Sequence, residues 1–278
     1  MYETIFLIII ALIWIIFASI QDLRKREVAN WLNFSLIIFA LGFRFFYSFF
    51  LENFNFFYQG LIGLGIFFII GNLLYYGRMF AGGDAKLMIA LGAILPLSSD
   101  FLININFFIL FFLIFLFVGA FYGLIWSGFL SIRNFKEFKK EFSKRLNKNK
   151  KIVFFVMFLG LILIVFGLIE NLFFSLGILV FIIPYFYLYA KSVDEACMIK
   201  EIKTNYLTEG DWLYKDIKIG KKSIKANWDG LTKKQIKEIQ RKYKKIKIRQ
   251  GIPFIPVFLI SFLIFIYFWQ IKLWNPFW

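Results

Sequence analysis

Histidine is absent from this chain, and cysteine occurs once, as Cys197, among 278 residues. Without histidine, a Ser–His dyad, a histidine-ligated zinc site and imidazole acid–base chemistry are all excluded. One cysteine cannot form an intramolecular disulfide or a four-cysteine metal site. We therefore expect no cofactor and no metal, and an enzyme with this sequence would have to work with carboxylates, hydroxyls, amines or the backbone.

Charge is also scarce outside a few segments. The chain is 60% hydrophobic and 22% aromatic, and its 41 phenylalanines exceed what a water-soluble core of this size would bury. The formal charge of +16 is concentrated in a few clusters that long uncharged runs separate. This segregation is typical of a bilayer protein, and it argues against nucleic acid as a partner, because such binders spread basic residues over one folded surface.

Apolar runs near twenty residues long predict an all-α polytopic membrane protein with about eight transmembrane helices. The predicted spans are 4–21, 31–51, 57–77, 82–97, 103–130, 152–169, 172–190 and 253–271. The first is interpreted as a retained span, since no basic segment precedes it and no small-residue cleavage site follows. The fourth run is short, and the second contains Arg44, a charge that a membrane span has to accommodate.

The cations indicate which side faces the cytoplasm. Nearly all of them follow spans one, three, five and seven, in clusters within 24–26, 78–86, 133–151 and 191–249. The segments on the other side carry the acids Glu3, Glu52, Asp100 and Glu170 and a single cation, Lys272. The positive-inside rule then predicts a plasma-membrane protein with both termini outside and its basic loops in the cytoplasm. Anionic membrane lipids next to these loops would contribute on the order of 1 kcal/mol per cation.

Three regions follow from these spans: a transmembrane bundle at 1–190, a basic soluble segment at 191–252, and a final span with its tail at 253–278. The stretch 212–220 of the soluble segment alternates apolar with polar residues, which predicts short strands. The segment is therefore expected to be a small α+β unit in the cytoplasm.

A helix is predicted to follow those strands, because Thr232 and Gln235 have the spacing of a capping box. One face of this helix is expected to carry Ile236, Ile239, Tyr243 and Ile246. Such a basic amphipathic helix either lies along the membrane surface or packs on its own small sheet.

Two aspartates are predicted to lie at the same depth. Asp22 ends the first span and Asp84 begins the fourth, so the topology brings both to the cytoplasmic interface although 62 residues separate them. Carboxylates that share one proton can act as a catalytic dyad. The ionised member takes a proton from an attacking water, and the protonated member polarises the peptide carbonyl. An ionisable residue in a span is by default a functional candidate.

Gly82 and Gly83 immediately precede Asp84. Without side chains they would let a substrate backbone approach closely, or they would permit an unusual backbone conformation. Lys86 lies two residues after Asp84 and points to another side of the helix, so it is interpreted first as an interface anchor and only then as a catalytic group.

Simpler interpretations fit the same residues. Asp22 precedes three cations and could be an ordinary ion-pairing residue at the surface. Asp84 could be an acid that the macrodipole stabilises at a helix N-terminus, with the two glycines before it forming a plain turn.

The residues around both aspartates resemble a known family. The segment Gly82-Gly-Asp-Ala-Lys-Leu-Met88 resembles the GxGD stretch of type IV prepilin peptidases and archaeal preflagellin peptidases. The segment Asp22-Leu-Arg-Lys-Arg-Glu-Val-Ala-Asn30 resembles their first catalytic loop, in which an aspartate precedes a basic stretch and an asparagine. Gly251-Ile-Pro-Phe-Ile-Pro256 looks like the archaeal branch. The resemblance implies a membrane aspartyl endopeptidase with Asp22 and Asp84 at its catalytic positions.

That activity would remove the short basic leader from prepilin-like or preflagellin-like proteins at the cytoplasmic face. Departures from the family pattern include Ala81 at the first position of GxGD and Ala29 where many members have proline. Bacterial members also methylate the new N-terminus and carry a four-cysteine segment, which one cysteine cannot supply, so no methyltransferase activity is expected. Eight spans exceed the six described for preflagellin peptidases, and the hairpin 152–190 is interpreted as an insertion that leaves the substrate open.

Two other functions remain open at this point. In a proton- or cation-coupled transporter, Asp22 and Asp84 would bind the coupling ion, although transporters usually place such acids near the midplane and show repeat symmetry. A non-catalytic subunit of a pilus or secretion assembly would need neither aspartate. The sequence indicates neither the leader-binding residues nor the oligomeric state.

Overall fold

The computed structural model describes residues 2–219 and 222–271. Its helices are α1 (Tyr2–Lys25), α2 (Asn30–Phe50), α3 (Asn55–Tyr76), α4 (Gly82–Gly92), α5 (Phe101–Arg133), α6 (Phe135–Phe166), α7 (Asn171–Cys197), α8 (Lys233–Lys242) and α9 (Ile255–Gln270). The strands are β1 (Ile199–Lys203), β2 (Trp212–Leu213), β3 (Ile217–Ile219), β4 (Lys222–Ile224) and β5 (Lys245–Arg249). Lys272 and Gly220, which take part in the expectations above, lie outside the described residues.

The prediction of a polytopic helical membrane protein is confirmed. In the described part of the chain, six helices are long and apolar enough to cross a bilayer, namely α1, α2, α3, α5, α6 and α7, and α9 is a shorter apolar helix. The helix of the sixth predicted span is longer than the span itself, because α6 already starts at Phe135. The basic residues assigned to a connecting loop are therefore helical and form the first turns of α6.

The fourth predicted span, 82–97, is only partly helical. Its helix α4 has 11 residues and ends at Gly92, so it extends only about 16 Å. The chain then continues without regular structure alongside α3, and Asn55 Nδ2 at the start of α3 donates to Ser99 O at 2.9 Å. The apolar composition of 93–97 suggested a longer helix, but tertiary contacts hold this stretch in another conformation.

Arg44 provides the main such contact. Its side chain is fully buried. Its guanidinium donates from Nε to Ala93 O at 2.9 Å, and from Nη2 to Ile94 O at 3.2 Å and to Pro96 O at 2.5 Å. A fourth bond runs from Nη1 to Phe56 O at 2.9 Å. Inside a bilayer every backbone carbonyl needs an internal partner. The charge in the second span therefore satisfies the carbonyls that the short α4 leaves without helical donors.

Of the described residues, 2–123 and 252–271 form one compact unit. Its core contains buried side chains from α1, α2, α4, α5 and α9, with phenylalanines prominent on the last two helices: Phe107, Phe111, Phe258, Phe262 and Phe265. Burial of these rings brings the start of α9 to the end of α1, and both aspartates lie in this unit.

The backbones of α3 and α4 touch in this unit. A Cβ on Gly92 would lie 2.6 Å from Phe67 Cβ and would collide with the carbonyl oxygen of Gly63, and a Cβ on Gly63 would collide with Gly92 O. Small residues allow such close approach between membrane helices.

We expect Gly92→Val to lower the free energy of unfolding by about 2 kcal/mol, measured by thermal unfolding in detergent. Gly65→Val is the control, because nothing lies within 4 Å of a Cβ there, and an equal loss in both variants would contradict this account.

Residues 124–219 and 222–251 form a second compact unit. In it α6 and α7 form the predicted hairpin, with α7 beginning at Asn171. Glycines bring the two backbones together: a Cβ on Gly160 would lie 2.7 Å from Phe181 N, and one on Gly177 would lie 2.6 Å from Ile164 N. These compact units divide the chain differently from the predicted regions 1–190, 191–252 and 253–278, which separate membrane from soluble segments and stay a prediction.

The soluble part of this second unit is a small α+β fold, as predicted. Antiparallel strands in the order β1-β5-β2 form one sheet, and β3 pairs with β4 in a second. The capping box is present: Thr232 N donates to Gln235 Oε1 at 2.9 Å, and Gln235 N donates to Thr232 Oγ1 at 3.4 Å.

The predicted helix face in this fold is partly wrong, since α8 ends at Lys242 and Ile246 belongs to β5. Tyr243 is the C-cap residue of α8. Ile236 and Ile239 are buried against the sheet in a common core. Of the two alternatives for α8, the structure therefore shows a helix packed on its own sheet.

Candidate active site

Asp22 lies in the last turn of α1, and its side chain is 7% exposed. Its Oδ2 accepts a hydrogen bond at 3.0 Å from the backbone N–H of Ile255, the first residue of α9. The first N–H groups of a helix have no partner within it and carry the positive end of the dipole. The carboxylate of Asp22 is thus held at the N-terminus of a helix that begins 233 residues later.

Sequence reasoning missed this contact. Pro256 near the start of an apolar run is an available signal for the beginning of α9, because proline is favoured in the first turn. No local pattern links that helix start to Asp22.

Asp84 lies in the first turn of α4 and is 9% exposed. Its Oδ2 accepts from the backbone N–H of Ala81 at 3.2 Å. This is half of a capping box, since the alanine side chain cannot accept in return. Asp84 therefore does act as an acid at the N-terminus of its helix, as considered from the sequence. Its other oxygen, Oδ1, receives no hydrogen bond from the described residues.

The two aspartates, far apart in sequence, lie within electrostatic range of each other. Asp22 also interacts electrostatically with Arg26, whose backbone adopts a positive φ of 59° directly after α1. Because Asp22 is buried, the interpretation as an ordinary ion-pairing residue at the surface is wrong. The structure thus brings together the two carboxylates singled out from the sequence, and their catalytic role stays a prediction.

The loop between α1 and α2 packs on the start of α4. A Cβ on Gly83 would lie 3.7 Å from Val28 Cβ, and one on Gly82 would lie 3.9 Å from the ring of Tyr75, both ordinary contact distances. Neither glycine has a positive φ. Of the two roles considered for these glycines, an unusual backbone conformation is not observed, and close approach of a substrate backbone stays a prediction.

Ala29, where many family members have proline, has a role of its own in this loop. Its φ of −63° and ψ of 132° are values that proline also adopts. Its N–H donates to Gln21 Oε1 at 3.1 Å, a bond that proline could not form. The alanine therefore keeps a proline-like conformation and adds a hydrogen bond that ties the loop to α1.

Lys86 and Asn30 form a hydrogen bond between α4 and α2. Lys86 Nζ donates to Asn30 Oδ1 at 2.6 Å. Asn30 is the first residue of α2, and Lys86 follows Asp84 by two positions. The pair therefore connects α4, which carries Asp84, to the start of α2, which follows the loop after Asp22.

For the leader cleavage that the resemblance implies, we expect Lys86→Met and Asn30→Ala each to lower the rate about 10-fold, because loosening this connection misplaces Asp84 relative to Asp22. The double variant should be no slower than either single variant, as residues that act through one contact are not additive. Initial cleavage rates of the four proteins in the same vesicles measure this. Multiplicative losses in the double variant would show that the two side chains act independently.

Comparison with known proteins supports the resemblance. Residues 9–126 match the profile of the type IV leader peptidase family. The match covers less than half of the chain, and over this stretch the chain is similar to that family. The stretch contains both aspartates, the loop between α1 and α2, and the whole of α4, so it supports the family resemblance drawn from the motifs.

Curated relatives point in the same direction. A preflagellin peptidase of Methanococcus maripaludis is 33% identical over 88 residues, covering 32% of this chain and 38% of the relative. That of Methanocaldococcus jannaschii is 32% identical over 88 residues, covering 32% and 37%. The match thus spans less than two-fifths of these relatives' length. No solved structure matches the chain.

Proposed function

We propose that this chain is a membrane aspartyl endopeptidase that removes the leader peptide from preflagellin-like proteins. The observation that carries the proposal is the pair of buried aspartates, Asp22 and Asp84, within electrostatic range inside the stretch that matches the type IV leader peptidases. The relatives' names indicate preflagellins as the first substrates to consider. Prepilin-like proteins are the second, and no methylation of the product is expected.

The chemistry follows from two carboxyl groups that share one proton. Asp22 is better placed to carry the negative charge, because it accepts the Ile255 N–H and lies within electrostatic range of Arg26. Its carboxylate removes a proton from water as the water oxygen attacks the scissile carbonyl carbon. Asp84 carries the shared proton and donates it to the carbonyl oxygen. The tetrahedral intermediate then collapses, and a proton passes to the leaving amine.

The side of cleavage follows from the charge distribution. With the basic loops in the cytoplasm, the ends of α1 and the start of α4 face that side, where a leader that never crosses the membrane is accessible. This orientation has both termini outside. Anionic lipid headgroups are expected next to the basic segments.

A transporter is the less favoured alternative. Coupling acids in transporters usually lie near the bilayer midplane, between repeats. Asp22 and Asp84 instead lie at helix ends, and each already accepts a backbone N–H bond there. A non-catalytic subunit would give no reason to bury two carboxylates near each other.

The proposal is tested with the full chain reconstituted in lipid vesicles together with a preflagellin-like substrate. We expect a shortened product whose new N-terminus lies just before the apolar helix, identified by mass spectrometry. A vesicle assay for proton or cation flux is run in parallel. Flux without cleavage of preflagellin-like or prepilin-like substrates would overturn the peptidase proposal.

A further inference from the structure

Each of the two aspartates accepts a backbone N–H that directly follows a phenylalanine. The Ala81 N–H, which holds Asp84 Oδ2 at 3.2 Å, belongs to the peptide group that begins at Phe80. The peptide group that begins at Phe254 supplies the N–H that holds Asp22 Oδ2 at 3.0 Å. Because a peptide group is planar and rigid, the position of each phenylalanine constrains the donor that follows it. Two distant parts of the chain therefore hold the two carboxylates in the same way.

The rings of these two phenylalanines contact each other. The centroid of the Phe80 ring lies 6.1 Å from that of Phe254. Phe115 on α5 packs against both rings, at 5.7 Å from Phe80 and 5.8 Å from Phe254. Phe258, one turn into α9, lies 6.2 Å from Phe80 and 4.6 Å from Phe115. These are favourable distances for aromatic pairs, and we refer to the four residues as the aromatic cluster.

Phe80 anchors the loop between α3 and α4 in this cluster. The Phe80 side chain is 4% exposed, whereas that of Met79 next to it is 68% exposed. The glycines that follow, Gly82 and Gly83, leave room around their Cα atoms and make no tight contact that could fix the loop. A ring in a close-packed core cannot shift without moving its neighbours. The start of α4, and with it Asp84, is therefore fixed through the Phe80 ring.

We propose that Phe80 is a positioning residue for the aspartate pair: its ring contact with Phe254, supported by Phe115, sets the distance between the carboxyl groups of Asp22 and Asp84. The inference rests on the peptidase function proposed above. The rings act through the peptide groups that hold the carboxylates, and they take no part in the proton transfers.

Phe80→Leu tests this role, because leucine keeps the site apolar but does not fill the place of the ring. We expect kcat to fall about 10- to 100-fold with KM unchanged, since a misplaced catalytic group costs about this much. Rates are measured in vesicles below the thermal midpoint of each variant and are normalised to the amount of inserted protein. A merely structural role would lower the midpoint and leave kcat of the folded enzyme unchanged.

Phe265→Leu is the matched control for packing. Phe265 is fully buried, and its ring lies 6.0 Å from that of Phe107 and 5.9 Å from that of Phe111. It lies on α9 as well, about 15 Å further along the helix than Ile255. The same substitution thus removes a ring from an aromatic core that does not adjoin the aspartates. We expect a similar fall in the thermal midpoint and a wild-type kcat.

A second pair of variants moves the aromatic cluster without removing a ring. A Cβ on Gly119 of α5 would lie 3.1 Å from Phe254 Cζ, so Gly119→Ala presses on that ring. Gly123→Ala, one turn later on the same helix, is its control, because nothing lies within 4 Å of a Cβ there. Both substitutions raise helix propensity equally. We expect kcat to fall about 5-fold in Gly119→Ala and to stay at the wild-type value in Gly123→Ala.

The possible outcomes are distinct. A normal kcat in Phe80→Leu, or an equal loss of kcat in Phe265→Leu, overturns the positioning role and leaves the peptidase proposal intact. If Phe80→Leu fails to fold, equal kcat values in Gly119→Ala and Gly123→Ala overturn the role instead. A wild-type protein that cuts neither substrate class refutes the proposed function, and the role of the aromatic cluster with it.

Discussion

Replacing either Asp22 or Asp84 by asparagine is expected to lower kcat/KM for leader cleavage by roughly 10⁴-fold, because an amide cannot take or give the proton that the mechanism requires. Asparagine has nearly the same shape as aspartate and can still accept the N–H bonds from Ile255 and Ala81. Both variants should therefore insert and fold like the wild type. Cleavage in vesicles, normalised to the amount of inserted protein, measures the effect.

The control for these variants is Asp100→Asn. Asp100 precedes α5, and its Oδ1 accepts from Leu102 N at 2.7 Å as a helix cap. Asparagine caps a helix as well as aspartate does, so this variant should cleave at the wild-type rate. If Asp22→Asn or Asp84→Asn also cleaved near that rate, the aspartyl mechanism would be wrong.

Arg44→Met is expected to lower the free energy of unfolding by roughly 3 kcal/mol, which in a marginally stable membrane protein means a large loss of folded material. The substitution removes the side-chain donor from the three carbonyls that follow α4, those of Ala93, Ile94 and Pro96, and it also removes the bond to Phe56 O in α3. Relief of the buried charge offsets only part of this cost. Arg44→Lys should recover little, because a single ammonium cannot reproduce the fork of donors. Thermal unfolding in detergent measures both variants.

Gly60 offers an independent test of the hydrogen bonds that the Arg44 guanidinium makes. A Cβ at Gly60 would collide with Arg44 Cδ, so Gly60→Ala should displace the guanidinium and lower stability without changing any charge. Gly42→Ala, with nothing within 4 Å of its Cβ, is the matched control in the neighbouring helix α2. An Arg44→Met protein as stable as the wild type would show that the carbonyls of 93–96 have other donors.

The outline of the fold was predictable because the bilayer imposes length and charge rules that a single sequence displays. The non-helical stretch after Gly92 was not predictable. Its backbone carbonyls have no helical donors and instead accept from the guanidinium of Arg44, some fifty positions earlier in the sequence. Ile246 was misassigned because an alternating strand and a helix can place the same isoleucines on one face. The capping box at Thr232 was predicted correctly because both of its partners are local.

In the site, too, local features were predictable and contacts between distant residues were not. Its acids could be found because Asp22 and Asp84 flank predicted spans on one side, and the topology brings such positions to one depth. The link from Asp22 to Ile255 depends on packing between distant helices, which leaves no periodic signal in the sequence.

The bond between Asp22 and Ile255 also has a consequence for biosynthesis. Asp22 is translated early, yet its N–H donor is added 233 residues later. A nascent chain that is still on the ribosome before residue 255 has Asp22 and Asp84 in the membrane but lacks the helix terminus that holds Asp22. The proposed proteolytic centre would therefore mature only near the end of translation, and a prematurely terminated chain would enter the membrane as an inert protein.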